Sequence, residues 1–405
     1  MEKMHEWFLQ ALRCALREEQ ADMELSPEEW SALVALAQTH KVLPMLLEAV
    51  HGCPSLQGLG EGTLRLLRQQ VRRQVMAQTI RTEEFLALNR VLLDRGVRPL
   101  VVKGLVCREL YPKPDQRPSG DEDVLVAPAQ FDRCREIFTE LGLEAPADQT
   151  DAYEIPFRKR GSYLYIELHR YLFPPESEVY GHWNRFFDGV FDRAAEPELR
   201  GGRVLTLAPT DHMFYLICHA FKHFLHGGFG IRQVCDMMLF SEKYGGEVDW
   251  QRVFENCEAI RAAKFAAAIF RIGGKHLGGS VPEIFRDAAV DEEPMLRDLL
   301  LGGVYGDTTL SRRHSSTITL DAVAAENRGE RPRSGVMASV FPSADKLAGK
   351  YTYLKKNPWL LPVAWGQRLL RYSREIRARR DSSAAEALKI GAERVELMKQ
   401  YDILD

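Results

Sequence analysis

Three acidic residues stand side by side in the segment RPSGDEDVLV, residues 117–126. If this segment enters a strand, Asp121 and Asp123 project from one face and Glu122 from the other. Two carboxylates held so close repel each other, and a divalent cation such as Mg²⁺, which prefers oxygen ligands, removes that repulsion. We therefore expect a metal site at Asp121 and Asp123, with Glu122 tolerant of replacement by Gln. The alternative is an acidic turn, since Asp is common in turns.

A third acidic residue and a lysine are positioned to complete such a site. Phosphoryl or nucleotidyl transfer with two metal ions requires further oxygen ligands. The alternating segment SYLYIELHRY places Glu167 on a polar face together with His169. Upstream, Lys103 and Gly104 stand where a strand-like run gives way to a helix, and backbone N–H groups and a lysine can hold phosphate at such a position.

The elements that must position these residues are short strands within an otherwise helical chain. Residues 1–95 are predicted to be helical, and Ser26 begins a capping-box pattern. Between 96 and 207 the pattern changes to β-α-β-α-β-β, with RVLTL (203–207) as a possible last strand, and this is the only sheet expected. Helices return from residue 209.

This pattern predicts five regions. They are an N-terminal helical region (1–95), a core with the sheet (96–207), a helical domain (208–310), a polar loop or linker (311–335) and a C-terminal helical segment (336–405).

Composition excludes several classes of protein. The chain has 405 residues, 45% hydrophobic and 27% charged, with a net charge of -3, so it carries no strong nucleic-acid or membrane signature. Seven cysteines without a C-x-x-C pair argue against a disulfide framework and a thiolate zinc site. With no secretory or membrane-spanning segment expected, a cytoplasmic protein fits best.

Histidines cluster in the segment 212–226, where His219 and His223 are four residues apart. A zinc site is one interpretation, but the glutamate of the metalloprotease motif is absent. A second is that His219, Lys222 and His223 face a nucleotide, because the segment directly follows the sheet. The third is ordinary helix packing.

Two further charged features have structural interpretations. Asp236 lies among apolar residues, and Arg232, one helical turn earlier, is its expected partner. The arginine-rich segment 368–380 would be either a solvated helix face or a site for a polyanion such as RNA.

Several segments resemble one family in the same order along the chain. LVVKGLVCRELYPKPDQRPSGDEDVLV resembles the lysine-glycine and glycine-aspartate-x-aspartate motifs of an uncharacterised nucleotidyltransferase family in the polymerase-beta-type superfamily. YIELHRYLF, LICHAFKHFLHGGFGIRQVCDMMLF and FPSADKLAGKYTYLKKNPWLLPVAW are similar to its later motifs. The resemblance spans about 95–405.

The resemblance implies an α+β fold, with a small mixed β-sheet core flanked by N-terminal and C-terminal helical regions. It implies that Asp121, Asp123 and Glu167 are catalytic and hold Mg²⁺ or Mn²⁺, with Glu167 also acting as a base. Lys103, Gly104 and Gly120, the other residues of the two motifs, would bind the nucleotide.

The implied reaction moves a nucleoside monophosphate from an NTP to an unknown acceptor, which would be a small molecule, a protein or RNA. Two alternatives stay open. One is a catalytically silent module that binds a nucleotide or a partner, and the other is a toxin-like enzyme that modifies tRNA or protein.

Overall fold

The computed structural model describes residues 2–146, 152–303, 310–329, 351–355, 357–367 and 384–405. The chain groups into two compact units, which are residues 1–220 with 231–297, and residues 221–230 with 298–405. The five-region division expected from the sequence stays a prediction, apart from the polar loop or linker at 311–335, much of which is helical.

Four helices form the N-terminal part of the first unit. They are α1 (Lys3–Leu16), α2 (Pro27–Thr39), α3 (Leu43–Val50) and α4 (Glu61–Asp94). The capping box at the start of α2 is confirmed, because the Ser26 side chain accepts from the Glu29 N–H and the Glu29 side chain accepts from the Ser26 N–H. Helix α4 is the longest of the four, with 34 residues.

The predicted small mixed sheet is confirmed. Its strands are β1 (Leu100–Val101), β2 (Glu122–Leu125), β3 (Leu143–Glu144), β4 (Glu154–Lys159) and β5 (Tyr165–His169), in the order β1-β2-β5-β4-β3. Strands β2 and β5 are parallel, and the other neighbouring pairs are antiparallel. Helix α5 (Gly104–Arg108) joins β1 to β2, and α6 (Pro128–Glu140) follows β2.

The sheet buries one face in an apolar core and carries its polar residues on the other. The core face contributes Val124, Ile155, Phe157, Ile166 and Leu168, which pack with Phe131, Cys134, Ile137 and Phe138 of α6. Because successive side chains of a strand point to opposite faces, Asp123 and Glu167 lie on the face away from this core.

A second, two-stranded sheet was not expected. It pairs β6 (Glu198–Leu199) with β7 (Gly202–Arg203), so RVLTL is not a regular last strand of the main sheet. Arg200 and Gly201 have φ of 48° and 71°, the left-handed pair that closes a tight hairpin. Beyond the hairpin, Leu205 makes only an isolated parallel bridge to Leu100.

The remaining helices of the first unit follow the hairpin. They are α7 (Pro209–His226), whose last turns belong to the second unit, then α8 (Ile231–Tyr244), α9 (Trp250–Ala259), α10 (Ala263–Leu277), α11 (Glu283–Arg286) and α12 (Glu293–Gly302), which belongs to the second unit from residue 298 onward. Within the described ranges, no helix combines the length and apolarity needed to cross a bilayer.

The second unit corrects one expectation. Residues 311–335 were expected to form a polar loop or linker, but α13 spans Leu310–Asn327 and packs along α14 (Ala384–Gln400). Residues 330–335 lie outside the described residues. The buried face of α13 includes Ser315 and Thr319, whose hydroxyls donate to the carbonyls of Arg312 and Leu225 at 2.6 Å each. Hydroxyl groups that are hydrogen-bonded can be buried, so the buried face of a helix need not appear as an apolar pattern in the sequence. The arginine-rich segment 368–380 lies outside the described residues.

Candidate active site

Two acidic side chains meet on adjacent parallel strands. The register places Asp123 of β2 opposite Glu167 of β5, and His169 follows two residues later on the same face. One carboxylate oxygen of each acid and one ring nitrogen of His169 lie within 4.8 Å of one another. Ligands on opposite sides of an ion with bonds of about 2.1 Å are roughly 4.2 Å apart. These three residues could therefore share one divalent cation.

The third predicted ligand, Asp121, is not a member of this group. It lies partly exposed directly before β2, and its charge is one of the smaller influences that raise the pKa of Glu167. His169 was missed as a candidate ligand by the sequence analysis, although the alternation of YIELHRY had already placed it on the face of Glu167.

Burial and neighbouring charge act differently on the two carboxyl groups. Burial, then the charges of Asp123 and Glu154, raise the pKa of Glu167 to about 8. Burial also opposes the ionisation of Asp123, but Lys103 and His169 outweigh it and hold the pKa of Asp123 well below its usual range. At neutral pH, without a bound cation, Asp123 is ionised and Glu167 retains a proton.

Lys103 supplies the counter-charge for Asp123. Its Nζ lies 2.9 Å from Asp123 Oδ2 and 3.1 Å from His219 Nε2, and the side-chain amide of Gln233 lies 3.0 Å from the other ring nitrogen of His219. Burial opposes the charge on Lys103, yet the charges of Asp123 and Asp121 raise its pKa well above its usual value. Two of the predicted nucleotide-binding residues, Lys103 and His219, are thus brought to Asp123.

The other predicted nucleotide-binding residues are placed differently. Lys222 and His223 follow His219 on α7, in the part that belongs to the second unit. Gly120 is exposed, and a Cβ added there would meet nothing within 4 Å. The role of these three residues in nucleotide binding stays a prediction.

Gly104 is required by its contact with Glu122. Glu122 is fully buried; its Oε2 accepts from the Leu105 N–H at 2.8 Å, and its Oε1 accepts from Arg108 at 2.6 Å. At Gly104, where φ is +25°, a Cβ would stand 2.0 Å from Glu122 Oε2. Glu122 points away from Asp123, as expected, but into a buried ion pair. We therefore expect Glu122→Gln to destabilise the protein, and the tolerance predicted from the sequence is wrong for this ion pair.

The loop before β2 is held by side chains from α4 and α5. Ser119 donates its N–H to Gln78 Oε1 at 2.8 Å, accepts from Arg108 at Oγ at 2.6 Å, and accepts from Arg81 at its carbonyl. Arg81 also donates through Nε to the Tyr163 carbonyl at 2.9 Å, shortly before β5. One guanidinium therefore ties together the two loops that lead into the acidic strands.

A buried ion pair holds the start of the same loop. Arg117, and not the expected Arg232, is the ion-pair partner of Asp236, with Nε to Oδ1 at 2.8 Å and Nη2 to Oδ2 at 2.5 Å. The Tyr111 hydroxyl donates to Oδ1 at 2.7 Å. Arg232 instead donates to the carbonyl of Pro118. Asp236 thus positions the loop from a distance and does not reach the acidic cluster as a ligand.

The other histidines of α7 do not form a metal site in the described part of the chain, where the group of three metal-donor residues is Asp123, Glu167 and His169. His212 is fully buried, with Nδ1 3.2 Å from Thr206 Oγ1. Burial lowers the pKa of His212 and of His226 to about 4 in each case. These two histidines are neutral packing residues at physiological pH.

Comparisons with known proteins agree with the motifs. The sequence model of the family described as "Uncharacterised nucleotidyltransferase" matches residues 26–278, more than half of the chain. The match includes α2, α3 and α4 but not α1, and it ends before the C-terminal segment that the resemblance also covered. No curated protein matches the chain.

One solved structure shows a weak likeness. It is an antigenic nucleotidyltransferase-like protein from Paracoccidioides brasiliensis, with 12% sequence identity and a TM-score of 0.31, over 51% of this chain and 93% of that chain. The family match is the stronger finding. It includes α5, the loop held by α4, and both acidic strands, and on this basis the chain belongs to the family of uncharacterised nucleotidyltransferases.

Proposed function

We propose that the protein is a metal-dependent nucleotidyltransferase that transfers a nucleoside monophosphate from an NTP to an acceptor hydroxyl. The observation that carries this proposal is the pairing of Asp123 with Glu167 on parallel strands, with a ring nitrogen of His169 within reach of the same point. Family membership supports transferase activity. The acceptor is a small molecule, a protein or RNA.

The donor set fits a divalent cation, Mg²⁺ or Mn²⁺. Asp123 and Glu167 are the proposed ligands from the observed donor group, and Asp121, partly exposed directly before β2, is proposed as the third. A bound cation would neutralise the carboxylates and stabilise the charge that develops on the transferred phosphoryl group.

Lys103 and Glu167 have separate tasks in this proposal. The ammonium of Lys103, which contacts Asp123 in the absence of ligand, would exchange that carboxylate for triphosphate oxygens. Glu167, which a bound cation would hold as the carboxylate, would accept the proton of the acceptor hydroxyl.

The test measures pyrophosphate release and self-labelling by the full chain with each of four labelled NTPs and Mg²⁺ or Mn²⁺. Asp121→Asn and Asp123→Asn should each lower turnover by about 100-fold or more. Asp132→Asn on α6, with a side chain 78% exposed, is the matched control and should leave turnover unchanged. Metal-dependent turnover that survives both site substitutions would contradict the proposal.

A second candidate is a nucleotide-binding module without catalytic activity. The observation that favours it is the ion pair between Lys103 and Asp123, which compensates the charge of the buried carboxylate. Nucleotide binding without pyrophosphate release, unchanged by Asp123→Asn, would support this module.

A further inference from the structure

His169 is a buried imidazole next to the acidic pair. His169 is 4% exposed, and among the described residues its two ring nitrogens lie at ion-pair distance from carboxylates without a hydrogen bond of ordinary length. Buried polar groups normally make hydrogen bonds of ordinary length, so a buried imidazole held at longer distances between two carboxylates points to a ligand at this position.

The two ring nitrogens face different carboxylates. Nε2 lies 3.4 Å from Asp123 Oδ1, and Nδ1 lies 3.7 Å from Glu154 Oε2. The strand register fixes this arrangement, because Glu154 of β4 is paired directly with His169 of β5. Histidines that bind a metal through one nitrogen usually donate the other N–H to a carboxylate, which sets the tautomer and the ring orientation.

We propose that His169 is a nitrogen ligand of the cation held by Asp123 and Glu167, that Glu154 orients its ring, and that the site selects a divalent transition metal over Mg²⁺. Imidazole nitrogen is a good ligand for transition metals, whereas Mg²⁺ is held by oxygen ligands. The proposal rests on the metal site of the proposed function, but it does not depend on nucleotidyl transfer.

The experiment uses Mn²⁺ alone, added to the full chain without nucleotide and followed by electron paramagnetic resonance. Wild-type protein should bind Mn²⁺ at least about tenfold more tightly than competing Mg²⁺. The pulsed spectrum of bound Mn²⁺ should show coupling to a nitrogen nucleus, and this coupling should change when the histidines are labelled with ¹⁵N.

Three variants locate the nitrogen. His169→Asn should abolish the coupling and weaken Mn²⁺ binding by about 10- to 100-fold, with Mg²⁺ affinity changed by less than about threefold. Glu154→Gln should retain the coupling with altered strength and weaken Mn²⁺ binding by about tenfold. His51→Asn, at an exposed histidine, is the matched control and should change neither quantity.

Either of two results would overturn the proposal, namely Mn²⁺ bound by wild-type protein without nitrogen coupling, or coupling that persists unchanged in His169→Asn. If His169→Asn does not fold, the ¹⁵N-labelled wild type together with Glu154→Gln decides the question. Nitrogen-coupled Mn²⁺ without NTP turnover would refute the proposed function and support this inference. NTP turnover by a protein that binds Mg²⁺ and Mn²⁺ equally and shows no nitrogen coupling would support the proposed function and refute this inference.

Discussion

Replacing Glu122 by Gln is the sharpest test of how the acidic loop is held. Glu122 and Arg108 are both fully buried, with 2.6 Å between Oε1 and Nη2. The second oxygen accepts from the Leu105 N–H at 2.8 Å. Gln offers one acceptor oxygen where Glu offers two, so one of these donors must lose its partner and face an NH₂ group. The Arg108 charge also loses its counter-ion.

The cost should be large for a change of one atom. Removing one partner of a buried ion pair costs about 3–5 kcal/mol. Gln can keep one of the two hydrogen bonds, so we expect a loss near the lower end, about 3 kcal/mol in the free energy of unfolding. The direction is opposite to the tolerance that strand alternation alone predicts.

Urea unfolding followed by circular dichroism measures this loss. With a slope of about 3 kcal/mol/M, the midpoint should fall by roughly 1 M. Glu136→Gln on α6 is the matched control, since its partner Arg133 and Glu136 have side chains 51% and 63% exposed, and it should cost less than about 1 kcal/mol. A loss below about 0.5 kcal/mol for Glu122→Gln, within the usual range of surface substitutions, would refute the reasoning.

Three further outcomes are expected. Asp236→Asn should leave the Arg117 guanidinium buried without a counter-ion and cost about 3 kcal/mol or more in urea unfolding; a loss below about 1 kcal/mol would show that the pair does not hold the loop. Gly104→Ala should push a methyl group into the Glu122 carboxylate, lowering stability by about 1–3 kcal/mol, and an unchanged melting temperature would count against that contact. Because burial lowers the pKa of His212 from 6.5 to about 4, the folded state holds this histidine neutral. Its contribution to stability is therefore present above pH 6.5 and lost as the pH falls towards 4; the urea midpoint of His212→Gln should depend less on pH over this range, and equal pH dependence would exclude His212 as the cause.

Local rules predicted the parts of the site that lie within one strand. Alternation alone separated Glu122 from Asp123 and placed His169 beside Glu167, because the period of a strand is two. The capping box of α2 and the small mixed sheet were also predictable from short patterns. These features depend on residues that are neighbours in sequence or on the next strand.

Long-range partners could not be predicted in this way. Arg117 and Asp236 are 119 positions apart, and the nearer Arg232 was the natural partner by helical spacing. Likewise, Gly104 was interpreted through its position at a helix start, while its actual constraint is a carboxylate from the next strand. Helix α13 was missed because hydroxyls bonded to carbonyls, and not apolar side chains alone, form its buried face.

The guanidinium of Arg81 has a consequence for how the site can move. It bonds to the Ser119 carbonyl and to the Tyr163 carbonyl, so the loops before β2 and β5 are tethered to the same point on one helix. A displacement of α4 would carry the loops before β2 and β5 in the same direction. The distance between Asp123 and Glu167 would then stay nearly constant. We therefore expect the spacing of the two carboxylates to change little when the surrounding helices move, and amide exchange in the two loops to rise and fall together.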